Sequence, residues 1–170
     1  SKHNVDPNPE KRTYDGTVYD SVMEMRFYVE WLTPKVESGE ILKCEKQVPF
    51  VLQDAFEYNG KHIREITYVA DFVCTYSNGQ TLVIDTKGFP DAACLLKRKM
   101  FWYRYPEIEY IWMTYSACDG GWVLFEELKK NVTNLLNELT KWNYLNSNSK
   151  TLNGLIENSI NPSFILNVFE

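Results

Sequence analysis

Residues 69–88, VADFVCTYSNGQTLVIDTKG, place two apolar runs on either side of Ser77-Asn78-Gly79, which reads as a β-hairpin. Each run also carries an acid, Asp71 in the first and Asp85 in the second, and Lys87 follows two residues later. A buried carboxylate costs several kcal/mol unless a partner compensates it. Turn length decides where the acids lie. A two-residue turn at Asn78-Gly79 would set Asp71 opposite Thr86 and leave Asp85 on the other face. A three-residue loop with Gly79 left-handed sets Asp71 directly opposite Asp85.

The second register accounts for more of the residues. It leaves Ala70, Phe72, Cys74, Leu82 and Ile84 on one apolar face and gathers both acids and Lys87 on the other. Opposed residues have Cβ atoms roughly 4.5–5.5 Å apart, and two carboxylates so placed can share a cation at about 2.0–2.1 Å, as suits Mg²⁺. The plainer alternative pairs Asp71 with Lys87 and leaves Asp85 at an exposed strand end. It explains the proximity of two acids less well, because like charges facing each other destabilise a sheet. A bound cation removes that repulsion and lowers both carboxylate pKa values.

The flanking sequence supplies an α/β frame. In DSVMEMRFYVEWLTPKVESG, residues Val22, Met25, Val29, Leu32 and Val36 form a helical stripe. Asp20 or Ser21 caps it, Gly39 ends it, and Pro34 shortens or kinks it. Strands are expected over 41–53, with Pro49 favouring an edge or bulge, and over about 63–76, 80–87 and 109–115. Residues 54–62 read as a loop with Asn59-Gly60 at its tip. A helix is expected over 91–105, starting near Asp91. Helix, three strands, helix, strand makes an α/β layer on a mixed sheet. Residues 1–18 read as a mobile or loosely docked arm and 19–118 as the core. A helical extension over 119–170 comes next, packed on the core or at a dimer seam. Its stripe is Phe125, Leu128, Val132, Leu135, Leu139 and Trp142. A short apolar spacing at Leu152, Leu155, Ile156 and Ile160 and the FILNVF end come after it.

The 170 residues, with 44% hydrophobic and 15% aromatic content, suffice for one real core. No apolar run approaches the roughly 18 residues of a membrane span, and SKHNVDPNPEKR has no signal-peptide core. A cytoplasmic protein is therefore expected. Cys44, Cys74, Cys94 and Cys118 form no CxxC pair, and only His3 and His62 could join them. Reduced thiols are expected rather than a zinc site. A net charge of −5 gives no global attraction to nucleic acid, so such a role needs local cations or metal ions. Lys97, Arg98, Lys99 and Arg104 form the densest positive patch, read either as a phosphate-binding surface or as a solvated helix face. Trp102 and Tyr103 are expected in the core.

An acid, a strand hairpin and then Asp-x-Lys resemble the PD-(D/E)XK nuclease superfamily, whose core runs αβββαβ. Asp71 matches its first acid, Asp85 its second and Lys87 its lysine. Glu24, in YDSVMEMRFY, matches a glutamate that many members carry on the first helix. Its other reading is a capping box with Ser21. Gln47 and Pro49 in EKQVPF resemble a glutamine-x-proline strand beside that site. From Tyr19 to about Tyr115 the pattern is similar to small phage and prophage endonucleases, with Ala70 where proline often precedes the first acid. The tail after about residue 120 has no such match.

The resemblance implies a Mg²⁺- or Mn²⁺-dependent DNA endonuclease with a restriction-endonuclease-like core. Asp71, Asp85, the carbonyl of Thr86 and Glu24 would hold the metal, and Lys87 would serve catalysis. Gln47, Lys97, Arg98, Lys99 and Arg104 would contact DNA. Analogy with small resolvases adds branched or four-way DNA as substrate and a homodimer as the working form. Two other readings are a non-catalytic DNA-binding subunit that keeps the fold and a protein-interaction module of phage origin.

Overall fold

The computed structural model describes residues 7–145, with side chains to residue 141. The expectations for residues 1–6, His3 included, for the Trp142 side chain and for residues 146–170 lie outside the described residues. The chain divides into two compact units, Ser1–Leu124 and Phe125–Glu170.

The first unit opens with a 3-10 turn, Pro9–Arg12, capped by the Asn8 side chain, which accepts from the Glu10 N–H at 2.9 Å. A hairpin of β1 (Thr13–Tyr14) and β2 (Thr17–Val18) comes next. Asp15 and Gly16, at φ 47° and 70°, make its two-residue turn. The Arg12 guanidinium donates to the Tyr19 carbonyl, and the Tyr19 N–H donates to the Arg12 carbonyl at 2.9 Å. Residues 9–18 of the expected arm therefore form a turn and a hairpin, with Arg12 bonded to Tyr19 just ahead of the first helix.

Ser21 caps the first helix, its hydroxyl accepting from the Glu24 N–H at 3.1 Å. The helical path runs through α1 (Val22–Phe27), a π turn (Tyr28–Leu32) and α2 (Thr33–Glu37). Pro34 explains the π turn. It has no N–H for the Glu30 carbonyl, and its ring crowds that carbonyl. The path widens just before it, with the Thr33 N–H and hydroxyl both reaching the Tyr28 carbonyl, the hydroxyl at 2.9 Å. The extra residue shifts the helix phase. Leu32 is fully buried and Met25 packs on the same core, as the expected stripe of Val22, Met25, Val29, Leu32 and Val36 implies, but Phe27 joins them fully buried and Val36 is exposed.

β3 (Ile41–Gln53), β6 (Ile66–Tyr76), β7 (Thr81–Thr86), β8 (Glu109–Ser116) and β9 (Gly121–Leu124) form the central sheet in the order β3-β6-β7-β8-β9. Between β3 and β6 the span read as a loop folds into a small hairpin, β4 (Phe56–Tyr58) and β5 (Lys61–Ile63). Asn59 and Gly60, at φ 48° and 70°, supply its turn. β7 and β8 are parallel and the other neighbours antiparallel, so the sheet is mixed. α3 (Ala92–Arg104) makes the crossover, capped by the Asp91 carboxylate, which accepts from the Cys94 N–H at 2.7 Å. β3 lies at the sheet edge, which accommodates Pro49. The fold is α/β on a mixed sheet, and its main elements run αβββαβ. β9, absent from the sequence reading, adds an antiparallel edge.

Helices cover both faces. Phe27 and Leu32 pack with Tyr19, Ile41, Phe72, Cys74, Leu82, Ile84 and Met113. On the other face Phe101 of α3 sits with Phe50, Tyr68 and Tyr110, ring centroids 4.8–5.7 Å away. Tyr68 and Phe72 share strand parity yet pack on different helices, so β6 turns over between them. Asp71 lies in that turnover.

The second unit contributes α4 (Phe125–Leu145). Leu135, one of its expected stripe residues, is half exposed.

Candidate functional site

The three-residue loop sets the β6–β7 register. The Gly79 N–H donates to the Tyr76 carbonyl and the Tyr76 N–H to the Gln80 carbonyl, both at 2.9 Å, with Gly79 at φ 85°. Phe72 then faces Ile84, and the strand pairing stops there. Asp71 and Asp85 occupy the next position, at the point where the strands part. Their carboxylates replace the missing backbone pairing. Asp85 Oδ1 accepts from the Asp71 N–H at 3.0 Å. Asp71 Oδ2 accepts from the Thr86 N–H at 2.9 Å and from the Thr86 hydroxyl at 3.2 Å. Asp71 is 3% and Asp85 1% exposed, so these bonds offset a desolvation cost that would otherwise fall in full.

Asp85 has further partners. The Tyr68 hydroxyl donates to its Oδ1, and the Tyr110 hydroxyl donates to Oδ2 at 2.9 Å. Trp112 Nε1 in turn donates to the Tyr110 oxygen at 2.7 Å. Burial first, and the Asp85 charge second, push both phenols well above the usual tyrosine pKa, so they remain donors. Lys87 Nζ lies 2.9 Å from Asp85 Oδ2. Burial alone would lower the lysine pKa, but the charges of Asp85 and Asp71 outweigh it and hold the pKa above its ordinary value. Lys87 is a fixed ammonium at neutral pH. The backbone holds its position, its N–H donating to the Met113 carbonyl at 2.8 Å.

Gln47 extends this row onto β3. The pairs Lys46–Phe72 and Val48–Ala70 flank it, so Gln47 stands across from Asp71. Its φ of 53° is left-handed, unusual for a non-glycine strand residue. Gln47 Nε2 donates to Glu24 Oε2 at 3.3 Å, while the Ser21 hydroxyl donates to Glu24 Oε1 at 3.2 Å. Glu24 is 2% exposed and so takes part in both the helix cap and the row of polar residues. It does not join Asp71 and Asp85 in a triad. Among the described residues no three His, Cys, Asp or Glu side chains gather closely enough to hold a metal ion.

The four cations expected to face DNA are dispersed. Residues 97, 98 and 99 are consecutive on a helix and so point in directions about 100° apart. Lys97 Nζ donates to the Thr67 carbonyl at 2.8 Å. Arg98 is 9% exposed, its guanidinium 4.1 Å from the Trp112 ring and 4.5 Å from the Trp102 ring. Arg104 pairs with Asp54 at 2.8 Å. Lys99 alone of the four is both exposed and without a described partner. Trp102 and Tyr103, expected in the core, are 45% and 90% exposed.

Sequence reading missed Tyr68, Tyr110 and Trp112. The available signal was their polarity. A tyrosine or tryptophan in a buried strand needs a partner for its O–H or N–H, and two acids in the neighbouring strands could provide one.

The chain belongs to a family described as "Protein of unknown function (DUF1064)", which matches residues 5–118. That span covers the central sheet up to β8 and every residue of the site. No curated protein matches the chain.

Proposed function

We propose that this chain is a Mg²⁺- or Mn²⁺-dependent DNA endonuclease with Asp71, Asp85 and Lys87 at its centre. One observation supports the reading above the rest: two buried carboxylates stand together where β6 and β7 part, with an ammonium on one of them. The donor set is all oxygen and suits a hard cation. Two carboxylates are enough, because Mg²⁺ is commonly held by one or two, with water and substrate phosphate completing its shell. Asp71, Asp85 and the Thr86 carbonyl would hold the ion. Glu24 would act from the surrounding layer through Gln47. When bound, the cation would polarise the scissile phosphate and lower the pKa of a water.

The chain's own groups have separable roles. Lys87, beside Asp85, would offset charge that builds on the phosphorane. Tyr68 and Tyr110 fix the Asp85 carboxylate in one orientation. Lys99 and the exposed rings of Trp102 and Tyr103 are the nearest the α3 surface offers to a phosphate and base contact. Branched or four-way DNA as substrate, and a homodimer joined along α4, rest on the resemblance to small resolvases.

The test is purified protein with labelled linear, flap and four-way DNA in Mg²⁺, Mn²⁺ or EDTA. Metal-dependent cuts leaving 5′-phosphate ends are expected, and Lys87→Ala should lower the rate about 10²–10³-fold while DNA binding persists. Salt-dependent binding without cleavage in any metal would make the chain a non-catalytic DNA-binding subunit instead.

A further inference from the structure

Cys44 on β3 and Cys74 on β6 are directly opposite each other in the antiparallel register. Their sulfurs lie 3.4 Å apart, and both are free thiols. Opposed residues in an antiparallel pair have Cα separations of roughly 4.5–5.5 Å, inside the range a disulfide accepts. Closing the bond needs the sulfurs to approach to about 2.05 Å, a side-chain movement and not a strand movement. The two environments differ. Cys74 is fully buried, while Cys44 is only half-buried and in reach of solvent. The hydrogen bond with Cys74 and the nearby Lys46 charge favour the Cys44 thiolate against the cost of its burial.

We infer that Cys44 and Cys74 form a peroxide-reactive thiol pair that closes to a cross-strand disulfide. Cys44 Sγ attacks the outer oxygen of a hydroperoxide, the O–O bond breaks, and Cys44 becomes a sulfenic acid as an alcohol (water, from hydrogen peroxide) leaves. Cys74 Sγ then attacks that sulfur, the S–O bond breaks, and water leaves with the Cys74 proton. Two thiols lose two electrons and the peroxide gains them. The bridge closes a segment whose ends are 30 positions apart and which contains Gln47 and Asp71. It pins the β3–β6 register beside the polar row.

Reduced full-length protein, exposed to hydrogen peroxide and then denatured for thiol counting and peptide mapping, tests this. The count should fall from four to two, with a Cys44–Cys74 peptide, unmodified Cys94 and Cys118, and a higher melting temperature than the reduced form. Cys74→Ser should stop at a Cys44 sulfenic acid that dimedone traps, and Cys44→Ser should leave Cys74 unreacted. Oxidation at Cys94 or Cys118 with Cys44 and Cys74 still reduced overturns the inference. So does overoxidation of Cys44 in the wild type without the bridge. The wild-type map decides even if a variant folds poorly.

Discussion

Glu24 is held by two neighbours with different purposes, and a single substitution separates them. Ser21 caps the helix through the Glu24 backbone N–H, which Glu24→Gln leaves in place, while the carboxylate's bond to Gln47 links it to the row facing Asp71. The variant should melt within about 1 kcal/mol of the wild type yet lose most cleavage, with partial recovery at high Mn²⁺. Full activity at low Mg²⁺ would confine Glu24 to the helix end. At this scale much was legible beforehand. Asp71, Asp85 and Lys87 stood out because charge inside an apolar hairpin demands a reason. The partners of Asp85 did not, because Tyr68 and Tyr110 lie 17 and 25 positions away, and apolar strands of this kind routinely carry tyrosine. The α3 cations misled for a related reason. Adjacent basic residues look like a patch in a row of letters, but helical geometry turns Arg98 inward onto Trp112.

Among the elements, the β6–β7 hairpin is the most demanding, because its loop sets which residues meet. Gly79 sits at φ 85°, and a Cβ added there would meet nothing within 4 Å. Any cost of Gly79→Ala is therefore backbone strain, about 1–2 kcal/mol. Urea unfolding should show that loss, and a smaller one for Gly79→Asn, since asparagine tolerates the left-handed region. Equal stability of the alanine variant and the wild type would mean the loop does not need this conformation. The strands and α3 were readable from periodicity because each is long enough to show its pattern. The π turn was not. Pro34 announced a disturbance in the first helix, but inserting a residue before a proline rather than ending the helix depends on the Tyr28 carbonyl finding Thr33. β4, β5 and β9 are 3 or 4 residues each, too short for alternation to register.

For the whole molecule, the proposed cation offers a stability test that does not depend on catalysis. A ligand that binds only the folded chain stabilises it by mass action. At about a hundredfold excess over Kd the gain is about 2.7 kcal/mol, or roughly 5–10 °C for a chain of this size. Mn²⁺ titration should raise the melting temperature, EDTA should reverse the rise, and Asp71→Asn should abolish it; no shift at millimolar Mn²⁺ would count against the metal. The order αβββαβ could be read in advance because helical and strand periods alternate along the chain, whereas the role of α4 could not, since a single amphipathic stripe does not name its partner. The parting of β6 and β7 also bears on how related sequences should be read. Both aspartates satisfy backbone N–H groups of the opposite strand, so the sheet itself would retain them in a descendant that had abandoned chemistry. The Lys87 ammonium has a different described partner, the buried Asp85 carboxylate whose charge it compensates. On the proposed reading, a family member with a lost lysine beside two surviving aspartates would have kept its architecture and given up cleavage.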